Sequence, residues 1–251
     1  MTHTHSPEDP LAGLRFAVTG GTSGLGLAFV AELHRRGAAV AFVARNAERV
    51  AQVAQRFPGS HGIVGDIGLK EDIYPIALQV TAALGGLDVL INNASDLGPV
   101  PLALLGDTEC EQFERALAVN VLGPFRLTRA LLGALTASAR EGRGAVILNV
   151  SSDAAVNAYP RWGAYGASKA ALRHLSRIWD EEMIADGVRF LALDPGDMDT
   201  PLHALAVANA DPATLKRPET AARELLEAIV GALPAVGTPA PACCQAMEAL
   251  P

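Results

Sequence analysis

The sequence predicts an α/β protein: a doubly wound parallel sheet of six or seven strands with helices on both faces. Three observations predict it. Short apolar runs alternate with longer helical patterns along the whole chain, the order of successive strand–helix–strand units. Ala, Val, Leu and Gly dominate while aromatic residues make up 5%, a composition suited to parallel strands covered on both faces. Each polar or glycine-rich cluster falls just after an apolar run, and ligands of such sheets bind beyond the C-terminal strand ends.

The elements follow in order. Residues 15–19 read as a strand that runs into Gly20-Gly21-Thr22-Ser23-Gly24-Leu25-Gly26, then a helix to Arg36 stopped by Gly37. Residues 39–44 are a second buried strand, followed by a helix over 47–57 that Pro58-Gly59 closes. A third strand, 61–65, ends at Asp66. A helix over 69–84 precedes strand four, 87–91, and Asn92-Asn93-Ala94-Ser95. A Pro- and Gly-rich loop covers 96–106, and one long helix covers 108–139. Residues 145–150 are strand five and 163–185 the next helix. Residues 188–193 are strand six. A variable stretch, 198–212, and a helix over 218–233 complete the pattern.

At 251 residues, half of them apolar, the chain reads as one domain over 14–234. A polar, flexible arm over 1–13 and a mobile Ala/Pro/Gly/Cys-rich tail over 235–251 are expected on either side. The net charge of −7 without a basic run argues against nucleic acid as a partner. Residues 1–10 lack the apolar core of a signal peptide, and no apolar stretch of about 20 residues reads as a membrane span. Cys110, Cys243 and Cys244 are an odd set without framework spacing, which points to a reducing, cytoplasmic compartment. The Cys243-Cys244 pair lacks the gap of a metal knuckle, and no metal is expected.

Chemistry concentrates at strand ends. The glycine turn after strand one lets backbone approach a pyrophosphate at a helix N-terminus; its bland alternative is a tight turn without a ligand. A dinucleotide site shows its preference at the end of strand two, where an acid accepts a ribose 2′-hydroxyl and a base a 2′-phosphate. The acid is absent and Arg45 is present, which favours NADP(H) over NAD(H); the alternative is a solvated charge. Asp66 has two readings, an adenine contact or a cap for the next helix. Asn92 and Asn93 either tie strand ends together or meet a cofactor. Asn120, inside an apolar run, needs a partner. Thr200 either caps a helix or touches a nicotinamide amide. His34, His61 and His174 form no Ser/His/Asp order; His203, in the variable stretch, either faces substrate or, the favoured reading, is incidental.

Tyr165 and Lys169 are four apart, hence on one face of a helix. An ammonium beside a phenol favours the phenolate, which suits Tyr165 to acid–base work near neutral pH. Ser152, just past strand five, is placed to hydrogen-bond a substrate oxygen.

With these motifs in this order, Thr19-Gly20-x-x-x-Gly24-x-Gly26, Asp66, Asn92-Asn93-Ala94, Asn120, Ser152, Tyr165-x-x-x-Lys169 and Pro195-Gly196, residues 14–233 resemble the short-chain dehydrogenase/reductase family, in its single-domain branch. The resemblance implies a Rossmann-type sheet, homodimers or homotetramers, and roles for the site. Tyr165 would exchange a proton with the substrate oxygen. Lys169 would lower its pKa and hold the nicotinamide ribose. Ser152 would polarise the carbonyl, and Asn120 would hold a relay water. Expected cofactor contacts are Gly20, Thr22, Ser23, Gly24, Leu25, Gly26, Arg45, Asp66, Ile67, Asn93, Ala94, Tyr165, Lys169, Pro195, Gly196 and Thr200.

Three departures stand out. Ser95 replaces a common Gly, and Asp194 a frequent Asn. The usual C-terminal segment is missing, which leaves the sheet at six strands or with an irregular seventh near 234–238. The expected activity is NADP-dependent interconversion of a carbonyl and an alcohol by hydride transfer. The alternatives are epimerisation or dehydration at the same site, or an NADP-binding sensor or scaffold without turnover. Leu97, Val156, Tyr159, Trp162, Leu202 and Leu205, with Arg161 as the one cation, suggest a neutral, partly apolar substrate.

Overall fold

Alternate side chains of β1 (Arg15–Thr19) enter two different cores. Phe16 and Val18 go to one face of the sheet and Ala17 to the other, each of them buried. This two-residue period is that of a strand covered on both sides. The computed structural model describes residues 9–234.

β1 is joined by β2 (Ala39–Ala44), β3 (His61–Val64), β4 (Val89–Asn92), β5 (Ala145–Val150) and β6 (Val188–Leu193). Among the described residues they form one six-stranded parallel sheet in the order β3-β2-β1-β4-β5-β6. The order reverses between β1 and β4, which opens a crevice at the C-terminal strand ends. The chain continues after β1 into α1 (Gly24–Arg35), after β2 into α2 (Ala47–Arg56), and after β3 into α3 (Lys70–Leu84). Beyond β4 come α4 (Cys110–Leu117) and α5 (Gly123–Arg140), and beyond β5 comes α6 (Gly163–Met183). α7 (Pro201–Ala206) and α8 (Pro218–Ala232) follow β6. Phe29 and Leu33 of α1 and Leu226 and Ile229 of α8 fill one core. Ile73 and Val80 of α3 and Leu127 and Leu131 of α5 fill the other. Each such fully buried side chain contributes roughly 1.5–3 kcal/mol.

At the N-terminal strand ends a carboxylate organises the base of the sheet. Asp88, fully buried, accepts from the Arg15 N–H at 2.8 Å, from Arg15 Nη2 at 2.6 Å and from Arg143 Nη2 at 3.0 Å, and also from the Ser138 hydroxyl. Burial alone would push this carboxyl up. The two guanidinium groups and the hydroxyl outweigh it and hold it at about 2.

The structure departs from expectation in three places. Residues 9–13, expected within a flexible arm, are packed: Leu11 is fully buried, Asp9 pairs with Arg36 at 2.8 Å, and Gly13 N–H donates to Gly37 O at 2.9 Å. The expected arm over 1–8, tail over 235–251 and irregular strand beyond Pro234 lie outside the described residues. Strand four begins two residues later than expected and includes Asn92. The single long helix is broken by one π-helical turn, Ala118–Leu122, between α4 and α5. Pro124 explains the break, since it has no N–H for the carbonyl four residues back, that of Asn120.

Candidate active site

The strand ends that flank the switch point are tied to each other first. Thr19 Oγ1 accepts from the N–H groups of Asn93 at 3.0 Å and Ala94 at 3.1 Å, and Asn93 Nδ2 donates to Thr19 O at 2.9 Å. Asn92 Nδ2 donates to Asn149 Oδ1 at 2.8 Å, linking β4 to β5. Of the two readings of this Asn pair, the strand-tying one has its bonds. Beyond these ends lies a cleft of about 870 Å³.

Every expected cofactor contact lines this cleft, from Gly20 through Thr200, and so do Ser152, Tyr165 and Lys169. The glycine turn is built for close approach. Gly20 is left-handed (φ 72°), and a Cβ on Gly26 would collide with the Gly20 carbonyl. Ser23 precedes α1 without a side-chain cap bond, so no side chain takes the first-turn N–H groups, which face the cleft as an anion site. This cradle fits a dinucleotide pyrophosphate.

Arg45 lies on the cleft wall, two-thirds exposed, with Nη1 4.0 Å from Asp66 Oδ2. Arg49 lines the same wall. It was not singled out from the sequence; it stands in the first turn of α2, where its N–H donates to the Asn46 cap. Asp66 caps a turn: its Oδ1 accepts from Gly68 N–H at 2.9 Å and its Oδ2 from Arg115 Nη2 at 2.9 Å. The residue that directly precedes α3 is Leu69. Thr200 Oγ1 accepts from His203 N–H at 3.2 Å and so caps α7, while its side chain closes over Gly24.

α6 brings Tyr165 and Lys169 to one buried face, 8% and 2% exposed. Trp162 packs edge-on against the Tyr165 ring at 5.6 Å. Lys169 Nζ lies 5.5 Å from the ring centre and donates to Val150 O at 2.8 Å. Burial pushes the Tyr165 hydroxyl up to about 12, against the pull of hydrogen bonding with Ser152 and Ser95. Burial likewise brings Lys169 down to about 8, with the Asp194 charge opposing it. This corrects the expected phenolate: in the protein alone the loss of solvation outweighs the neighbouring ammonium.

Ser152 Oγ donates to Asp153 Oδ1 at 3.1 Å and accepts from Ala154 N–H at 3.2 Å. Tyr159 Oη donates to Asp153 Oδ2 at 2.7 Å. Asn120 stands behind the cleft wall, fully buried. Its Oδ1 accepts from Asp96 N–H and the Ser95 hydroxyl, and its Nδ2 donates to Asp96 O and Ser168 Oγ. Those four bonds use the whole side-chain amide.

At the substrate end, Leu97, Tyr159, Trp162 and Leu202 line the cleft as expected. Arg161, Val156 and Leu205 do not: all three are exposed, and Arg161 has a left-handed backbone (φ 73°). Asp96, Asp153, Asp194, Asp197, Asp211 and His203 take part instead. Asp153 could have been flagged by its place beside Ser152. His203 and Asp211 depend on how residues 198–212 fold back, which carries no local pattern. Among the described residues no group of three metal-ligating side chains occurs, and no helix is long and apolar enough to cross a membrane.

Residues 15–211 match the short chain dehydrogenase family. The chain belongs to that family. This short-chain dehydrogenase is 32% identical over 190 residues to a 2-(R)-hydroxypropyl-CoM dehydrogenase of Xanthobacter autotrophicus, covering 74% of each chain. Its structure resembles that of a 3-ketoacyl-(acyl-carrier-protein) reductase of Brucella melitensis complexed with NADH. The TM-score is 0.80 at 27% identity, over 86% of this chain and 90% of the other. It also resembles an alcohol dehydrogenase of the archaeon Thermococcus sibiricus complexed with 5-hydroxy-NADP, with a TM-score of 0.77 at 25% identity over the same shares. The short-chain dehydrogenase is thus an NAD(P)-dependent oxidoreductase.

Proposed function

We propose that this protein interconverts a neutral, partly apolar carbonyl compound and its alcohol, with NADP(H) preferred over NAD(H). The observation that carries this reading is the joint burial of Tyr165 and Lys169 on one face of α6, at the wall of the cleft that Ser152 also lines. When bound, the nicotinamide supplies or accepts the hydride. The residues of this chain handle the proton and the geometry. In reduction, Tyr165 Oη gives its proton to the substrate oxygen; in oxidation it takes one. The Ser152 hydroxyl, now directed at Asp153, turns to hydrogen-bond the same oxygen. Lys169, held by the Val150 carbonyl, sets the charge beside the phenol and would hold a ribose hydroxyl of the bound cofactor.

The preference for NADP(H) is supported by Arg45 and Arg49 on the cleft wall next to β2, where no acid stands to accept a ribose 2′-hydroxyl. A neutral substrate is supported by the substrate end of the cleft, which collects carboxylates and has lost Arg161. The exposed free thiol of Cys110 is consistent with a reducing, cytoplasmic compartment. The half-exposed apolar residues Leu122, at the end of the π turn, and Ile178, on α6, suit a homodimer or homotetramer, which light scattering would measure.

The test is oxidation of NADPH and NADH against neutral ketones, aldehydes and quinones beside carboxylated and phosphorylated ones, with Tyr165→Phe as control. Turnover of the neutral group with NADPH, lost in the variant, is expected. Turnover confined to anionic compounds refutes the substrate class. NADPH binding without any turnover leaves the non-catalytic alternative.

A further inference from the structure

Asp66 stands just beyond β3 and lines the cleft, as Arg45 does just beyond β2. Two guanidinium groups approach its carboxylate, and they do so unequally. Arg115 Nη2, from the last turn of α4, donates to Asp66 Oδ2 at 2.9 Å. Arg45 Nη1 lies 4.0 Å from that same oxygen, outside hydrogen-bond distance, and the Arg45 side chain stays two-thirds exposed. Asp66 Oδ1 is spent on Gly68 N–H at 2.9 Å. Arg115 is also fixed from a second direction. Its Nε lies 3.6 Å from Asp96 Oδ2. Asp96 is in turn anchored by the Asn120 amide through both backbone groups, and its Oδ1 accepts from Gly98 N–H at 2.9 Å. The guanidinium thus bridges the chain beyond β3 to the chain beyond β4. Arg115 is absent from the residues that line the cleft, so contact with a ligand at this corner falls to Asp66 and Arg45.

Among the described residues, Arg45 and Arg115 are the only cations within 4.0 Å of the Asp66 carboxylate. A carboxylate at such a distance attracts a guanidinium and repels a phosphate. Without Arg115, Asp66 would draw Arg45 to itself and would stand beside a 2′-phosphate as an uncompensated anion. Asp72 of α3, whose Oδ2 accepts from Asp66 N–H at 2.8 Å, adds a second negative charge at the same corner. A ribose 2′-hydroxyl carries no charge, so these changes bear on a phosphorylated cofactor far more than on its unphosphorylated counterpart.

We propose that Arg115 is a positioning residue for cofactor choice: it neutralises Asp66 from outside the cleft and so leaves Arg45 available to the 2′-phosphate of NADP(H). This role deepens the NADP(H) preference proposed above and rests on it.

The test measures binding in the absence of substrate. Kd values of NADPH and NADH are taken by nicotinamide fluorescence, and those of adenosine 2′,5′-bisphosphate and AMP by calorimetry. Arg115→Gln keeps a donor for Asp66 and removes the charge. The NADPH-to-NADH Kd ratio is expected to rise about fivefold, and the bisphosphate-to-AMP ratio with it. Arg115→Lys keeps the charge and is expected to restore both ratios. In an Asp66→Asn background there is no carboxylate to neutralise, so adding Arg115→Gln is expected to leave the ratios where Asp66→Asn puts them. Arg115→Met, which keeps the apolar stem alone, gives the same readout should Gln disturb the fold. Ratios unmoved by loss of the Arg115 charge overturn the proposal. So does an equal shift with and without the Asp66 carboxylate, because the charge then acts on the ligand directly. Equal NADPH and NADH affinities in the unaltered protein remove the NADP(H) reading alone; the shift on losing the Arg115 charge decides the proposal from whatever ratio the protein starts at.

Discussion

Asn120 Nδ2 donates to Ser168 Oγ over 2.8 Å and fastens the wide turn between α4 and α5 to the helix that carries Tyr165 and Lys169. The same amide holds both backbone groups of Asp96. Asn120→Ala would strand these groups in a buried place, and each lost partner costs about 1–3 kcal/mol. We expect a stability loss of about 2–4 kcal/mol by urea unfolding, with kcat falling more than cofactor KM rises. An unchanged unfolding midpoint would show that the amide carries no structural load.

Tyr165→Phe removes one hydroxyl and leaves the ring that packs on Trp162. Turnover should drop by about 10²–10⁴, while NADPH affinity, followed by fluorescence, stays near that of the unaltered protein. Retained turnover would take the acid–base role away from this residue.

Arg45→Asp, alone and with Arg49→Ala, should raise the NADPH KM by about 10-fold or more and spare NADH. Arg45 is two-thirds exposed, so most of its value comes from a ligand phosphate rather than from the fold. If NADPH and NADH respond alike, the 2′-phosphate is held by Thr22 and Ser23 of the glycine turn.

Asp88 gives a pH prediction with a defined sign. Its folded value, about 2, lies below the ordinary 3.8. The stabilisation it supplies is therefore fully present above about pH 4 and fades as the pH falls toward 2, a change of about 2 kcal/mol. Urea unfolding from pH 6 down to pH 2 should show this loss. In Asp88→Asn the acid-side decline should flatten and the neutral-pH stability should fall by about 3–5 kcal/mol, because Arg15 and Arg143 lose their anion. An identical acid profile in the variant would mean that another carboxylate governs it.

The sequence showed β1, β2, β5 and β6 to the residue, because each is an unbroken apolar run with punctuation at both ends. The grouping of Ser152, Tyr165 and Lys169 was visible as a face of one helix and a strand end. The wide turn at Asn120 was not: residues 108–139 are helical in periodicity throughout, and the one local cue, Pro124, marks a break without saying that it takes the form of a π turn. The Tyr165 phenolate failed for a similar reason, since spacing shows that Lys169 is close but not that both groups are out of water. Arg161 and Arg49 exchanged importance because the first is exposed outside the cleft, while the second, in the first turn of α2, lines it.

The buried carboxylate at the base of the sheet and the cleft at its top are served by different stretches of chain. Asp88 draws on Arg15, Ser138 and Arg143; the mouth of the cleft draws on residues 95–97 and 197–215. Changes in the mouth therefore leave the foundation intact. A lineage built this way can drift to new substrates while its melting behaviour stays put, and a library confined to the mouth should return folded proteins with altered appetites.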